Sequence, residues 1–153
     1  MSYKNLNEVR EFLSGIPCIN EGGCGIAALA MYRWLKKNHT SEEMSKIKFV
    51  YIEWDDDSVY EHNERFNDGY WLDAPTHCVL LYKGNYIDSN GDVDFDKWGD
   101  YTFEINDESV IVDSIINGCW NSMFDREKWI PIIEKELGID LSDIKEGIEL
   151  CQM

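Results

Sequence analysis

Basic residues are scarce in this chain: 14 Lys and Arg stand against 30 Asp and Glu, a formal charge of −16. Nonspecific nucleic-acid binding works by neutralising phosphates with Lys and Arg, so direct phosphate contact with nucleic acid is excluded as a function class. An anionic membrane surface would repel the chain for the same reason. No apolar run approaches the roughly 18 residues of a membrane span. The first ten residues hold Lys4, Glu8 and Arg10 with no apolar stretch behind them, so no secretory or transit signal is read there and a cytoplasmic location is expected. Cysteines are few and unpaired in pattern: Cys18, Cys24, Cys78, Cys119 and Cys151 include no CxxC, which predicts reduced thiols rather than a disulfide framework. The same set matches no zinc-ligand spacing. Asp92, Asp94 and Asp96 alternate, but the stretch lacks the glycine and terminal glutamate of an EF-hand loop. No metal and no cofactor is therefore expected. Internal repeats, low-complexity segments and linkers are absent, and there are only three histidines.

What is present is apolar substance. The 153 residues are 44% hydrophobic and 13% aromatic, enough for one core and too few for two comfortable ones, so residues 1–153 read as a single domain. The charge is unevenly placed. Residues 53–73 hold eight acids against Arg65 and residues 88–113 nine against Lys97, which together account for −15 of the −16. Such stretches are either a solvated surface or a field that recruits basic partners and imitates a phosphate backbone.

Residues 5–15 read as a first helix capped by Asn5 or Asn7, with Val9, Phe12 and Leu13 on one side and Gly15 as its stop. A second and clearer helix spans Gly22 to Lys37, where Ala27, Ala30, Met31 and Trp34 recur at helical spacing, so this helix is expected to be central. Thr40 and Glu43 have capping-box spacing. Lys48 to Trp54 alternates like a strand, and 55–73 reads as a long loop, a candidate lid or substrate rim. His77–Tyr82 and Tyr86–Asp88 read as a β-hairpin around Lys83-Gly84-Asn85. Tyr101–Asn106 reads as a further strand. Helices are expected from Asp107 to Asn117 and from Asp125 towards Leu137, where Pro131 either kinks the second or marks its start, with a final turn or helix from Ser142 to Leu150. The fold class is α+β: a helix bearing Cys24 packed against a small antiparallel sheet, followed by further C-terminal helices.

The chemistry concentrates in Asn20-Glu21-Gly22-Gly23-Cys24-Gly25. A thiol in the first turn of a helix faces unpaired backbone N–H groups and the positive end of the dipole, which favour thiolate. The glycines, Gly23 among them, let a substrate carbonyl approach the main chain, so the Cys24 N–H can serve as an oxyanion donor. Asn20 offers a second donor through its amide, or is a plain N-cap or turn residue. A nucleophilic thiol needs a base. His39 sits in a polar connection and His62 in the acidic loop, whereas His77 opens a buried strand. Asp88 is the candidate orienter: a two-residue loop at Lys83-Gly84 or Gly84-Asn85 puts it on the face of His77, the first register on one diagonal and the second farther apart, while a three-residue loop reverses the parity.

Gly22-Gly23-Cys24-Gly25 leading into a helix, then His77 on an apolar strand, then Tyr86-Ile87-Asp88-Ser89, resembles the papain-like cysteine peptidase superfamily with its transglutaminase-like and cell-wall-peptidase-like branches. The resemblance covers about residues 18–90. It implies a helix packed on an antiparallel sheet and a Cys-His-Asp triad of Cys24, His77 and Asp88. Where papain-like peptidases carry an oxyanion Gln, Cys18 stands here and Asn20 is the nearest amide. The implied activity is acyl transfer on a protein or peptide substrate, a basic one being suited to the acidic surface, with hydrolysis of an amide, peptide or isopeptide bond as the default. A transglutaminase or deamidase would use the same triad. The competing class is an acidic interaction protein, a DNA mimic or an inhibitor of a basic partner, on a catalytically idle frame.

Overall fold

The computed structural model describes residues 3–53, 77–93, 95–99, 101–105, 107–117 and 123–147. Helices α1 (Leu6–Ser14), α2 (Cys24–Lys36) and α3 (Ser41–Met44) precede strand β1 (Lys48–Glu53). Strands β2 (His77–Tyr82), β3 (Asn85–Asp88) and β4 (Gly91–Asp92) follow, then α4 (Phe95–Trp98), β5 (Tyr101–Ile105), α5 (Glu108–Asn117), α6 (Arg126–Leu137) and a 3-10 turn, Ser142–Gly147. The fold is thus α+β, with one antiparallel sheet in the order β4-β3-β2-β1-β5. The loop reading of 55–73, His62 and the middle member of the Asp92-Asp94-Asp96 alternation, Asp94, lie outside the described residues. Within them no helix is long and apolar enough to cross a membrane, and no cluster of three or more metal-ligating side chains occurs.

The caps explain where the helices begin. Asn5 Oδ1 accepts from the Glu8 N–H, Thr40 and Glu43 close a reciprocal capping box, and Asp125 Oδ1 accepts from the Lys128 N–H, each meeting a donor that a helix start leaves unpaired. Helix α6 therefore starts at its cap and runs on through Pro131 to Leu137. Gly138 ends it in the left-handed conformation, φ 65°, as a glycine at that position does at no steric cost. Lys37 Nζ donates to the Leu137 and Gly138 carbonyls at 3.2 and 2.9 Å.

Helix α2 is buried on nearly every side: Ile26, Ala27, Ala28, Leu29, Ala30, Met31, Trp34 and Leu35 all lie in the core. A helix apolar all round belongs at the centre of a domain, and α2 packs against α1, β2, β3, α5 and α6. Small Ala side chains let those neighbours approach closely. The sheet face beneath α2 supplies Phe49, Tyr51, Cys78, Leu80, Ile87 and Ile105 to the same core. Val50, Ile52 and Val79 form a second buried cluster on the opposite face with Leu81, Tyr86, Val93 and Phe95. The two-residue β4 and the one-turn α4 have no periodic signature to read, which is why the sequence pattern does not announce them.

Arg33 closes the back of the bundle. Its Nε donates to Glu108 Oε2 at 2.7 Å, its Nη1 and Nη2 bond both carboxylate oxygens of Asp143 at 2.8 and 2.7 Å, and Nη1 also reaches the Asp140 carbonyl. One guanidinium thereby ties α2 to α5 and to the C-terminal 3-10 turn. Replacing Arg33 by Ala leaves four acceptor oxygens without their donor, and a loss of about 2 kcal/mol is expected for a network of charge-assisted bonds at partial exposure. Urea denaturation checks this: the midpoint should fall with the slope unchanged, and an unmoved midpoint would remove the clamp from the account.

Candidate active site

The hairpin fixes the site. Strand β3 pairs with β2 through Leu80↔Ile87, Leu81↔Tyr86 and Tyr82↔Asn85, so the turn is Lys83-Gly84. Both turn residues have positive φ, 51° and 82°, the left-handed pair that a tight hairpin with the sheet's twist requires. Continuing that register sets Asp88 across from Val79, one step along the same face from His77. The diagonal is closed: His77 Nε2 and Asp88 Oδ2 are 2.9 Å apart, with His77 fully buried and Asp88 4% exposed. The other carboxylate oxygen, Oδ1, accepts from the Asn90 N–H at 2.8 Å, an Asx turn of the kind that Asp-Ser-Asn-Gly favours. Asp88 thus bonds His77 through one carboxylate oxygen and the Asn90 N–H through the other.

Cys24 is the first residue of α2, with Gly23 as the N-cap, φ −105°. A Cβ at Gly23 would stand 2.7 Å from the Ile19 carbonyl oxygen and 2.9 Å from the Phe124 ring, so the residue before the thiol is glycine because nothing larger fits. Backbone groups of Cys78, Gly25 and Cys24 lie close enough to the sulfur to favour its ionised form, and the first of these is the residue after His77. Asp88 is near enough for its charge to bear on the sulfur. The three predicted residues thus gather around the first residues of β2. Among the described residues no hydrogen bond joins Cys24 to His77. Strand alternation gives the reason: Cys78 faces the core beneath α2, whereas His77, paired with Ile52, points to the opposite face.

The acidity of the thiol corrects the sequence expectation. Burial pushes Cys24 up to about 11, and Asp88 adds to the rise, while the backbone bonds to Cys78, Gly25 and Cys24 pull the other way without prevailing. At 5% exposure the loss of water outweighs the helix-start donors, and the resting group is a thiol rather than a thiolate. Cys78 is likewise held well above its ordinary value by burial and by Cys24, and Tyr51 by burial, Cys78 and Cys24 in spite of a hydrogen bond with Ser114.

Asn20 sits in the tight turn in which the Glu21 N–H donates to the Cys18 carbonyl at 2.9 Å, and Cys18 there has φ 61°. Its Oδ1 is buried without a hydrogen-bond partner, and no hydrogen bond connects its amide to Cys24 among the described residues. His39 is half-buried with its Nδ1 2.8 Å from the Leu35 carbonyl, the local role its position suggests. Sequence reasoning missed Cys78, whose backbone lies beside the sulfur, and Asn90, whose N–H holds Asp88; the Asp-x-Asn spacing is the signal that nominates the second. No family model, curated protein or solved structure matches the chain.

Two outcomes are expected of the buried groups. Replacing Asp88 by Ala strips His77 and the Ser89-Asn90 turn of their acceptors together, at a cost of about 2–4 kcal/mol, whereas Asp88→Asn keeps an acceptor for the turn and costs less. Thermal or urea denaturation ranks them, and equal losses would deny Oδ1 its share. The raised thiol also makes stability pH-dependent. An exposed thiol releases its proton near 9.0 and the folded one near 11, so in that window the folded state holds more protons, and stability falls as pH rises by about 2–3 kcal/mol from this group. Cys24→Ser should flatten the slope of stability against pH by about one proton; an unchanged slope would show that the thiol does not titrate as its burial demands.

Proposed function

We propose that the chain is a cysteine-dependent acyl-transfer enzyme on a papain-like core, a hydrolase of an amide, peptide or isopeptide bond, with Cys24 as nucleophile, His77 as general base and acid, and Asp88 as orienter. The observation that carries this reading is the buried His77–Asp88 hydrogen bond beside a thiol that begins a helix and rests on the backbone next to that histidine. Asp88 holds Nε2, so Nδ1 is the ring atom assigned to the sulfur's proton.

A neutral resting thiol sets the order of events. The substrate carbonyl arrives first, and as Sγ attacks, His77 Nδ1 takes its proton, while Asp88 stabilises the imidazolium through Nε2. The attacked oxygen becomes negative and is met by backbone N–H donors at the start of α2, that of Cys24 first. His77 then gives the proton to the leaving amine, and water activated by the same imidazole opens the thioester. An amine in place of water yields transglutaminase chemistry on the same residues. Since His77 faces away from α2 at rest, the reading requires the imidazole to turn at the start of β2 and bring Nδ1 to Sγ as substrate binds, a larger change than the tightening of a loose catalytic hydrogen bond.

The test is covalent. Incubation with activated aryl esters and thioesters of amino acids, followed by peptide mass mapping, should place an acyl group on Cys24. The adduct should be absent in Cys24→Ala and should form about 10²–10⁴-fold more slowly in His77→Ala. Iodoacetamide should alkylate resting Cys24 slowly at neutral pH and faster as pH climbs towards 11, since the thiolate is the reactive form. Acylation that proceeds equally well without His77 would overturn the reading.

A second reading is favoured by the seal on the site, with Cys24 5% and His77 0% exposed, together with the −16 charge: an acidic interaction protein on an idle frame. It is distinguished by binding to a basic protein that weakens with salt and survives Cys24→Ala.

A further inference from the structure

Helix α1 presents Asn7, Arg10, Glu11 and Ser14 at helical spacing on one side, and these line a cavity of about 290 Å³ with Ser89 and Asn90. Two of these residues carry a buried, unsatisfied polar group. Ser89 is 2% exposed, and its Oγ is buried without a hydrogen-bond partner. The Arg10 Nε is in the same condition. Arg10 Nη1 donates to Asn7 Oδ1 at 3.2 Å. Its Nη2 lies against β4, where a Cβ on Gly91 would approach it to 2.7 Å. Buried polar atoms are nearly always paired, and each exception asks for a ligand, a water or an ion.

Arg10 is also unusual in its charge. Acids outnumber bases two to one in this chain, yet among the described residues no carboxylate forms an ion pair with Arg10. Its guanidinium is bonded to Asn7 through Nη1 and packs by Nη2 against Gly91, and such a planar group is matched to two oxygens of one anionic group. The Ser89 hydroxyl adds a third donor. Glu11 on the same cavity opposes bare negative charge and accepts a hydrogen bond, so it favours an oxyanion that carries a proton donor of its own.

We infer that the cavity between α1 and the β3–β4 turn is a binding site for a small oxyanion, a hydrogen phosphate or a hydroxycarboxylate, gripped by Arg10 and Ser89. The inference is independent of the enzyme reading, because it uses neither Cys24 nor His77. It does touch the same turn: Ser89 and Asn90 follow Asp88, and the Asn90 N–H holds Asp88 Oδ1. An occupant there braces the carboxylate that faces His77.

The experiment is a ¹H–¹⁵N titration of the full chain with inorganic phosphate and, separately, with glycolate, at ionic strength held constant with sodium chloride. Saturable shifts are expected for the amides of α1 and of Ser89 to Gly91. Saturation by phosphate alone, by glycolate alone or by both supports the site and names its source. Arg10→Gln should weaken binding about tenfold or more, and Ser89→Ala by a smaller factor, as loss of charged and neutral hydrogen bonds implies. Shifts that rise linearly with either anion, or saturate identically in Arg10→Gln and Ser89→Ala, overturn the inference. Should Arg10→Gln fail to fold, Ser89→Ala decides alone, because it deletes one hydroxyl and nothing else.

Discussion

A two-residue turn governs this architecture. Lys83 and Gly84 both occupy the left-handed region, and with that geometry fixed, the pairing of β2 and β3 has one register. Every later relation in the site follows from it. One more residue in the loop would carry Asp88 to the other face of the sheet, away from His77, and the Asx turn at Ser89-Asn90 would hold a carboxylate with no imidazole to meet. Lysine at a positive φ is a local cost of the order of 1 kcal/mol, accepted at a position where a one-residue change of register would exchange the two faces of β3.

The second constraint is desolvation. Placing Cys24 at the start of α2 surrounds its sulfur with donors, which in an open cleft would yield a thiolate. Here α2 is packed on all sides, and the helix start is buried with the rest. The competition between N–H groups and lost water is decided by water. This distinguishes a thiol that is ionised at rest from one that ionises only when a base and an electrophile are brought to it.

Much of this was legible in the residues. The caps at Asn5, Thr40 and Asp125, the centrality of α2 and the strands on either side of Lys83-Gly84 follow from side-chain chemistry and periodicity, and the nearer of the two hairpin registers is the one adopted. The His77–Asp88 pair was reachable because period-two alternation needs only a turn length. The thiol's environment was not, since a helix-start pattern specifies which donors are present and says nothing about how many layers cover them. Nor does alternation alone reveal that Cys78 and His77 leave the strand in opposite directions relative to a helix whose placement depends on distant residues. Asn20 as an amide donor rested on sequence proximity to Cys24, and a tight turn at Cys18 separates proximity in the chain from contact. The pairing of Arg33 with Glu108 and Asp143 joins residues too far apart in sequence for any local rule to connect them.

The contact between Gly23 and Phe124 carries a mechanical corollary. An aromatic ring from the segment leading into α6 fills the space in front of the N-cap of α2, so Phe124 acts as a doorstop for the turn that aims the sulfur. Trimming or reshaping the ring at Phe124 would therefore alter how wet that sulfur is, by loosening the N-cap it packs against.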